Sequence, residues 1–444
     1  MSSPLPVPPD FLFGVSSSAA AIEGGSPGDG RTASVWDVFA AAPGRIADGA
    51  GPDVAAGHYQ RMRTDVGLLA ELGVDAYRFS VSWSRVQPGG TGPANPAGLD
   101  FYDRLLDELA GVGIAPWLTL YHWDLPLELM LDGGWLDRDT AGRFADYAAL
   151  VAEKFGDRVA AWITMDDAAL HSFYGHAVGI DAPGLTLFGG AFAVTHHLLL
   201  GHAAALTALR AATAAPVGIV NHHSMVDPAT DSTDDRAAAQ LYDTIHNRQF
   251  SDPVLIGAYP EGLAALPGTD LSVVADGDLA AIGAPIDFYG VSYDHPRWVA
   301  AAPDNRSVPF TMVERDDRPH SAAGTAVQPA ALTRVLTELA GRQPGVVLYA
   351  ETGAAHPGPA DGTSATPDRD RTGFLVDHLQ AALAARAAGA QVRGWFWSHL
   401  LDGWDYGDGF SRPRGLVRVD RDTLERVPRA AFRRFAELIA AARA

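Results

Sequence analysis

Eight short apolar runs, spread along 444 residues and separated by stretches of helical periodicity, constrain this chain more than any other feature. They cover residues 11–15, 75–81, 116–123, 160–164, 217–220, 287–291, 346–350 and 392–397. Short apolar runs of this kind read as strands buried on both faces, the pattern of a parallel sheet covered by helices. The segments between them supply such helices. Tyr59, Met62, Val66 and Leu69 share a helical face that stops at Gly73, and Tyr102, Leu105, Leu106 and Leu109 repeat the pattern. Phe144, Ala148, Val151 and Phe155 form a third face, with Asp139 as the expected N-cap and Gly156 as the expected C-cap. Strand and helix alternating eight times predicts an α/β protein, a (β/α)8 TIM barrel whose active site lies at the C-terminal face of the strands. The chain is long for one domain, yet no Pro/Ser linker or break in composition divides it, so a single barrel domain over 1–444 is expected.

Charge and composition narrow the partners. A net charge of -20 repels phosphate backbones, so nucleic acid is not an expected partner. The absence of Cys removes disulfides and thiolate chemistry, leaving carboxylate, His, Ser and Tyr. No apolar stretch is read as a membrane span, and the opening MSSPLPVPPDF lacks the pattern of a secretory signal, so a cytoplasmic protein is expected. Two segments, 296–328 and 353–371, are too long and too rich in Pro and Gly for simple turns; each follows a strand and is a candidate lid over the site.

The strand ends carry the chemistry. On a barrel they converge on one mouth, bringing together Arg78 and Ser80, His122 and Trp123, Asp166 and Asp167, Asn221 to His223, Ser292 to His295, Glu351, and Trp397 to His399. Any one of these has a structural alternative: an Asp as a helix cap, a Trp as core, a His as a hydrogen-bonded residue. Paired carboxylates beside aromatic platforms, however, are what glycoside chemistry requires. One acid protonates a leaving oxygen, another attacks or stabilises the anomeric carbon, and rings pack on the sugar's C–H faces. No two acids show ligand spacing on a shared element, so neither a metal nor another cofactor is expected.

Four segments, YRFSVSWSRVQPGGTGPANPAGLDFYDRLLDEL, TLYHWDLPLEL, FGDRVAAWIT and LLDGWDYGDGFSRPRGLV, resemble the signatures of family 1 glycoside hydrolases, which include β-glucosidases. The resemblance implies a (β/α)8 barrel and a retaining mechanism using two Glu. The nucleophile falls on Glu351, within Tyr349-Ala350-Glu351-Thr352-Gly353, and the acid/base on Asp167, within Thr164-Met165-Asp166-Asp167-Ala168, where the family has Glu. By the same resemblance Arg78 holds the charge of Glu351, and His122 is a hydroxyl contact with Trp123 beside it, a further candidate for substrate binding. Asp166 stands in the place of the family's Asn. Other contacts depart from the pattern. Ala21 stands where the family has Gln, Ser292-Tyr293-Asp294 replaces N-Y-Y, and Ser398 replaces a platform Trp for which Trp397 is a candidate substitute. His399 follows it, and Asp405 and Tyr406 replace the distal Glu and Trp.

Two expectations follow from these changes. Retaining enzymes hold their carboxyls about 5 to 5.5 Å apart, and Asp is shorter than Glu by about 1.5 Å, so Asp167 and Glu351 would approach the wider inverting separation unless the backbone compensates. Mutual repulsion among Asp166, Asp167, Asp294 and Glu351 should raise at least one pKa, leaving a carboxylic acid as proton donor. The function expected first is a divergent glycosidase acting on a small-molecule glycoside, either a deoxy- or amino-sugar or a glycosylated secondary metabolite. A non-hydrolytic cyclase, dehydratase or isomerase of a biosynthetic pathway is the second reading, and an inactive sugar-binding protein the third. The sequence leaves the oligomeric state open.

Overall fold

The computed structural model describes residues 7–25, 28–305, 308–321, 324–355 and 366–444. Among them, each of the eight apolar runs forms a strand: β1 Leu12–Ser17, β2 Ala76–Ser80, β3 Ala115–Tyr121, β4 Ala161–Met165, β5 Val217–His222, β6 Phe288–Tyr293, β7 Val347–Thr352 and β8 Gln391–Ser398. Each pairs in parallel with its neighbours, and β1 closes the barrel by pairing with both β2 and β8. The (β/α)8 barrel expected from the sequence is therefore present.

Two apolar layers hold it. Inside, Trp117 lies 5.1 Å from Phe288, 4.7 Å from Tyr349 and 5.2 Å from Phe396, and these rings fill the lower barrel. Such large rings fit because β1 gives way: a Cβ at Gly14 would stand 2.2 Å from the Phe396 ring. Outside, the helices pack their apolar stripes on the strands. Helix Asp139–Phe155 buries Phe144, Tyr147, Ala148, Val151 and Phe155, as its spacing predicts. Its N-cap is Arg138, one residue before the expected Asp139, and the Asp137 carboxylate just ahead of it accepts from the Asp139 N–H at 3.0 Å.

One segment, Phe188–Ala212, is long and apolar enough to cross a membrane by length and composition alone. Its apolar window is 78% buried inside the fold, where the helix packs against Asp139–Phe155, so the apolarity is that of a core helix. Of the two candidate lids, 296–328 is partly ordered sheet: strands Arg297–Ala301 and Phe310–Met312 pair with each other, and Arg297–Ala301 also pairs with Val226–Pro228. Much of 353–371 lies outside the described residues; helix Thr366–Ala387 begins within it.

Gly98 yields a stability prediction. It lies within helix Pro96–Gly111, where Ala normally stabilises, but its Cβ would stand 2.4 Å from the Arg85 backbone oxygen. Gly98→Ala is expected to destabilise by about 1–3 kcal/mol, reversing the usual helical gain, and to lower the thermal midpoint.

Candidate active site

The C-terminal ends of the strands open into a cavity of about 520 Å³. Glu351, near the end of β7, is 6% exposed and lines it. Its Oε1 accepts from the Ser16 hydroxyl at 2.7 Å, and its Oε2 is ion-paired with Arg78 Nη2. The other end of the Arg78 fork reaches Asp166 Oδ2 at 2.9 Å. Arg78 is thus clamped between β4 and β7, and the aromatic layer inside the barrel lies directly beneath it.

Asp167 occupies a turn that the sequence only hinted at. The chain leaves β4 with Asp167 at φ 56°, a left-handed conformation that Asp tolerates better than most residues. Its N–H donates to Asp166 Oδ1 at 2.9 Å, and its Oδ2 lies 3.0 Å from His122 Nε2. His122 Nδ1 is 3.6 Å from Asp166 Oδ2, so one imidazole bridges both acids. Trp123 also has a left-handed backbone, at φ 69°, which strains so large a residue. Its indole N–H donating to Ala182 O at 2.7 Å, with its ring packed on Trp36, His171 and Tyr406, holds it there.

The acids separate into two kinds. Burial raises Asp166 and Glu351 above the ordinary carboxylate range, with Arg78 opposing it at both. Burial also pushes Asp167 up, but the hydrogen bond and charge of His122 outweigh it and hold the carboxyl below its usual value. Asp294 is likewise held down, as Arg414 and His222 override its burial. His122 moves the other way: burial disfavours its charge, yet Asp166 and Asp167 push it up to about 9. The expectation that at least one of the four acids is raised therefore holds for Asp166 and Glu351, while the Asp167 position holds a carboxylate beside a protonated imidazole. His122, Asp166 and Asp167 bring ligand atoms within 4.8 Å of one another, but with Arg78 on Asp166 and a proton on His122 they form an ion-pair set and not a cation site.

Most sequence-predicted residues line the cavity: His122, Trp123, Asp166, Asp167, Asp294, Glu351, Ser398, His399, Asp405 and Tyr406. Two predicted contacts do not. Trp397 is fully buried behind β8, near Trp395 and Phe374, and cannot replace the missing platform. Tyr293 is also fully buried, donating its hydroxyl to Gln328 O at 3.2 Å beside His378. Trp404 lines the cavity instead, and so does Ala21. His222, expected at the mouth with its strand end, lines the cavity too, whereas Ser16 and Arg414 were missed. Arg414 lies 2.6 Å from Asp405 and 3.3 Å from Asp294, tying the two distal acids together.

The family model for glycosyl hydrolase family 1 matches residues 4–444. The chain belongs to this family. It is 42% identical over 429 residues to thermostable β-glucosidase B of Thermobispora bispora, covering 96% of this chain and 89% of that protein. It is 36% identical to β-glucosidase A of Thermotoga maritima over 95% of this chain and 94% of that one. Among solved structures, the psychrophilic β-glucosidase of Micrococcus antarcticus superposes with a TM-score of 0.93 at 39% identity, covering 99% and 98% of the two chains. The family 1 β-glucosidase of Thermotoga maritima does so with 0.92 at 34% identity, covering 99% of each. Family membership gives the barrel mouth its chemical context.

Proposed function

We propose that residues 1–444 act as one retaining β-glycosidase unit, with Glu351 as nucleophile and Asp167, coupled to His122, handling the proton at the leaving oxygen. The observation that carries this reading is Glu351 itself: a buried carboxylate oriented by Ser16 and Arg78 at the floor of a cavity that also contains Asp167. Glu351 attacks the anomeric carbon as the bond to the leaving oxygen breaks, and the His122–Asp167 pair delivers one proton to that oxygen. Water then attacks the glycosyl–Glu351 ester, the pair takes back a proton, and Glu351 is released as a carboxylate.

The glycone we propose is not plain glucose but a deoxy- or amino-sugar, or the sugar of a glycosylated secondary metabolite. Three features support this. Ala21 offers no hydroxyl partner. Asp405 and Asp294 are engaged by Arg414, and His122 is engaged by Asp167. Hydroxyls that a glucose site would bond therefore meet groups already paired, and each unmatched partner costs on the order of 1–3 kcal/mol.

Incubation with activated 2-deoxy-2-fluoro β-glycosides of several glycones, followed by peptide mass spectrometry, tests the mechanism. A covalent glycosyl adduct on the peptide containing Glu351 is the expected result. An adduct elsewhere, or turnover of the true substrate by Glu351→Gln at the native rate, would remove Glu351 from the role. The same panel tests the glycone: faster trapping by the gluco reagent than by every other would reject the unusual-sugar reading.

A further inference from the structure

Among the described residues lining the cavity, the guanidinium groups are not used alike. Arg414 pairs with Asp405 and Asp294, and Arg412 lies 3.5 Å from Asp408. Arg297 is half-buried and has no carboxylate within ion-pair distance among the described residues. Its Nη2 donates to the Tyr174 hydroxyl at 3.3 Å, and its Nε is buried without a hydrogen-bond partner among those residues. Nearby Tyr242, which also interacts with Arg297, is a neutral phenol because burial outweighs the opposing pull of that guanidinium. Burial also lowers His295 to about 3, with the Arg297 charge adding to the effect, so this ring is neutral too.

A guanidinium withdrawn from water normally meets an anion, because desolvating an unpaired charge is costly. In a chain of net charge -20, an unpaired guanidinium facing the cavity points to an anion brought by the ligand. Its position indicates which half of the ligand. Tyr174, its partner, lies on the helical segment that runs on from Asp167, the acid at which the leaving group departs. Leu170 and Ile180 line the cavity from the same stretch, and Ile180 is 57% exposed, so the wall here is apolar as well as cationic.

Building on the glycosidase reading, we infer that the aglycone is an apolar acid, an aryl carboxylate whose anionic group is received by Arg297. A carboxylate fits better than a phosphate. A guanidinium with no carboxylate partner among the described residues matches the single charge of a monoanion, while the acids around the cavity repel a dianion more strongly. Arg45, exposed at the rim and hydrogen-bonded to Gly179 O at 3.3 Å, adds positive potential along the approach.

Titration calorimetry with benzoate and with neutral benzamide tests this without depending on turnover. The wild-type protein is expected to bind benzoate at least about tenfold more tightly than benzamide, a preference that weakens with salt. Arg297→Gln should bring the ratio to about one, and Arg297→Lys, which keeps the charge but not the fork, should retain part of it. Two meta-substituted phenyl β-glycosides, one bearing a carboxylate and one a carboxamide, should show the same ratio in kcat/KM. Equal binding of benzoate and benzamide by the wild type, or a preference that survives Arg297→Gln, overturns the proposal. Failure to trap a glycosyl group on Glu351 would instead strike the glycosidase reading and leave the calorimetric result standing.

Discussion

Asp167→Asn is expected to lower kcat/KM for a β-glycoside with a poor leaving group by about 10²- to 10⁴-fold, the span that general acid–base catalysis contributes. A dinitrophenyl glycoside should lose far less in its first step, because dinitrophenolate departs without a proton. The pH profile separates the pair from an isolated acid. In the free protein His122 holds its proton up to about pH 9, with Asp167 ionised beside it. The profile of kcat/KM should therefore fall on the alkaline side as pH rises through about 9, when the proton leaves His122. On the acid side it should fall as Glu351 protonates, at a pH above the ordinary carboxylate range because burial raises that group. Asp167→Asn removes one of the two anions that hold the proton on His122, so the alkaline limb should move toward neutrality; Asp166 remains to limit the shift. Equal losses on good and poor leaving groups, together with an unmoved alkaline limb, would remove Asp167 from proton transfer.

The distinction matters for the Glu-to-Asp change at position 167. A shorter side chain withdraws the carboxyl toward its own backbone, and here that backbone adopts a left-handed turn while the carboxyl meets His122. On the proposed mechanism the imidazole that the family resemblance assigns to sugar binding is part of the proton-handling unit. Asp167 on that mechanism bears on both the catalytic proton and a hydroxyl contact, which links the glycone to the acid/base question.

The barrel was legible because its evidence is local and repeated. Each strand is a short apolar run and each helix a periodic stripe, so eight consistent readings reinforce one another. The placement of Glu351, Asp167 and Arg78 near one another was legible because they stand toward strand ends inside recognisable motifs. Two errors came from neglecting the alternation of side chains along a strand. Ser292 and Asp294 face the cavity, so Tyr293 between them faces the helices; Ser398 faces the cavity, so Trp397 faces Phe374. Period two was available in the sequence and would have excluded both. Arg414, Arg297 and Tyr174 could not be found that way. They lie on excursions after three different strands, and no local pattern records that these approach one another at the mouth. The sign of the acid titrations was equally hidden, since it depends on His122 and Arg414 being closer to particular carboxylates than those carboxylates are to each other.

Arg78→Met should be the most destabilising substitution in the site. Arg78 is 4% exposed and stands between Asp166 and Glu351, both nearly as buried. Removing one partner of a buried ion pair typically costs about 3–5 kcal/mol, because the remaining charge is left without compensation; here two acids would be left facing each other. They cannot both ionise cheaply, so their carboxyl pKa values should rise further above the unfolded values of about 4. A folded state with raised carboxyl pKa values binds more protons than the unfolded chain, so stability falls as pH rises from the unfolded values through the folded ones. The loss in Arg78→Met should therefore be smallest near pH 4 and greatest at neutral pH and above, as read by denaturant unfolding across that range. Adding Asp166→Asn removes one of the opposed acids and should recover part of the stability, making the double variant markedly non-additive. A loss that is independent of pH and unrelieved by Asp166→Asn would mean that Arg78 matters through packing, and that Asp166 and Glu351 are not held together by its charge.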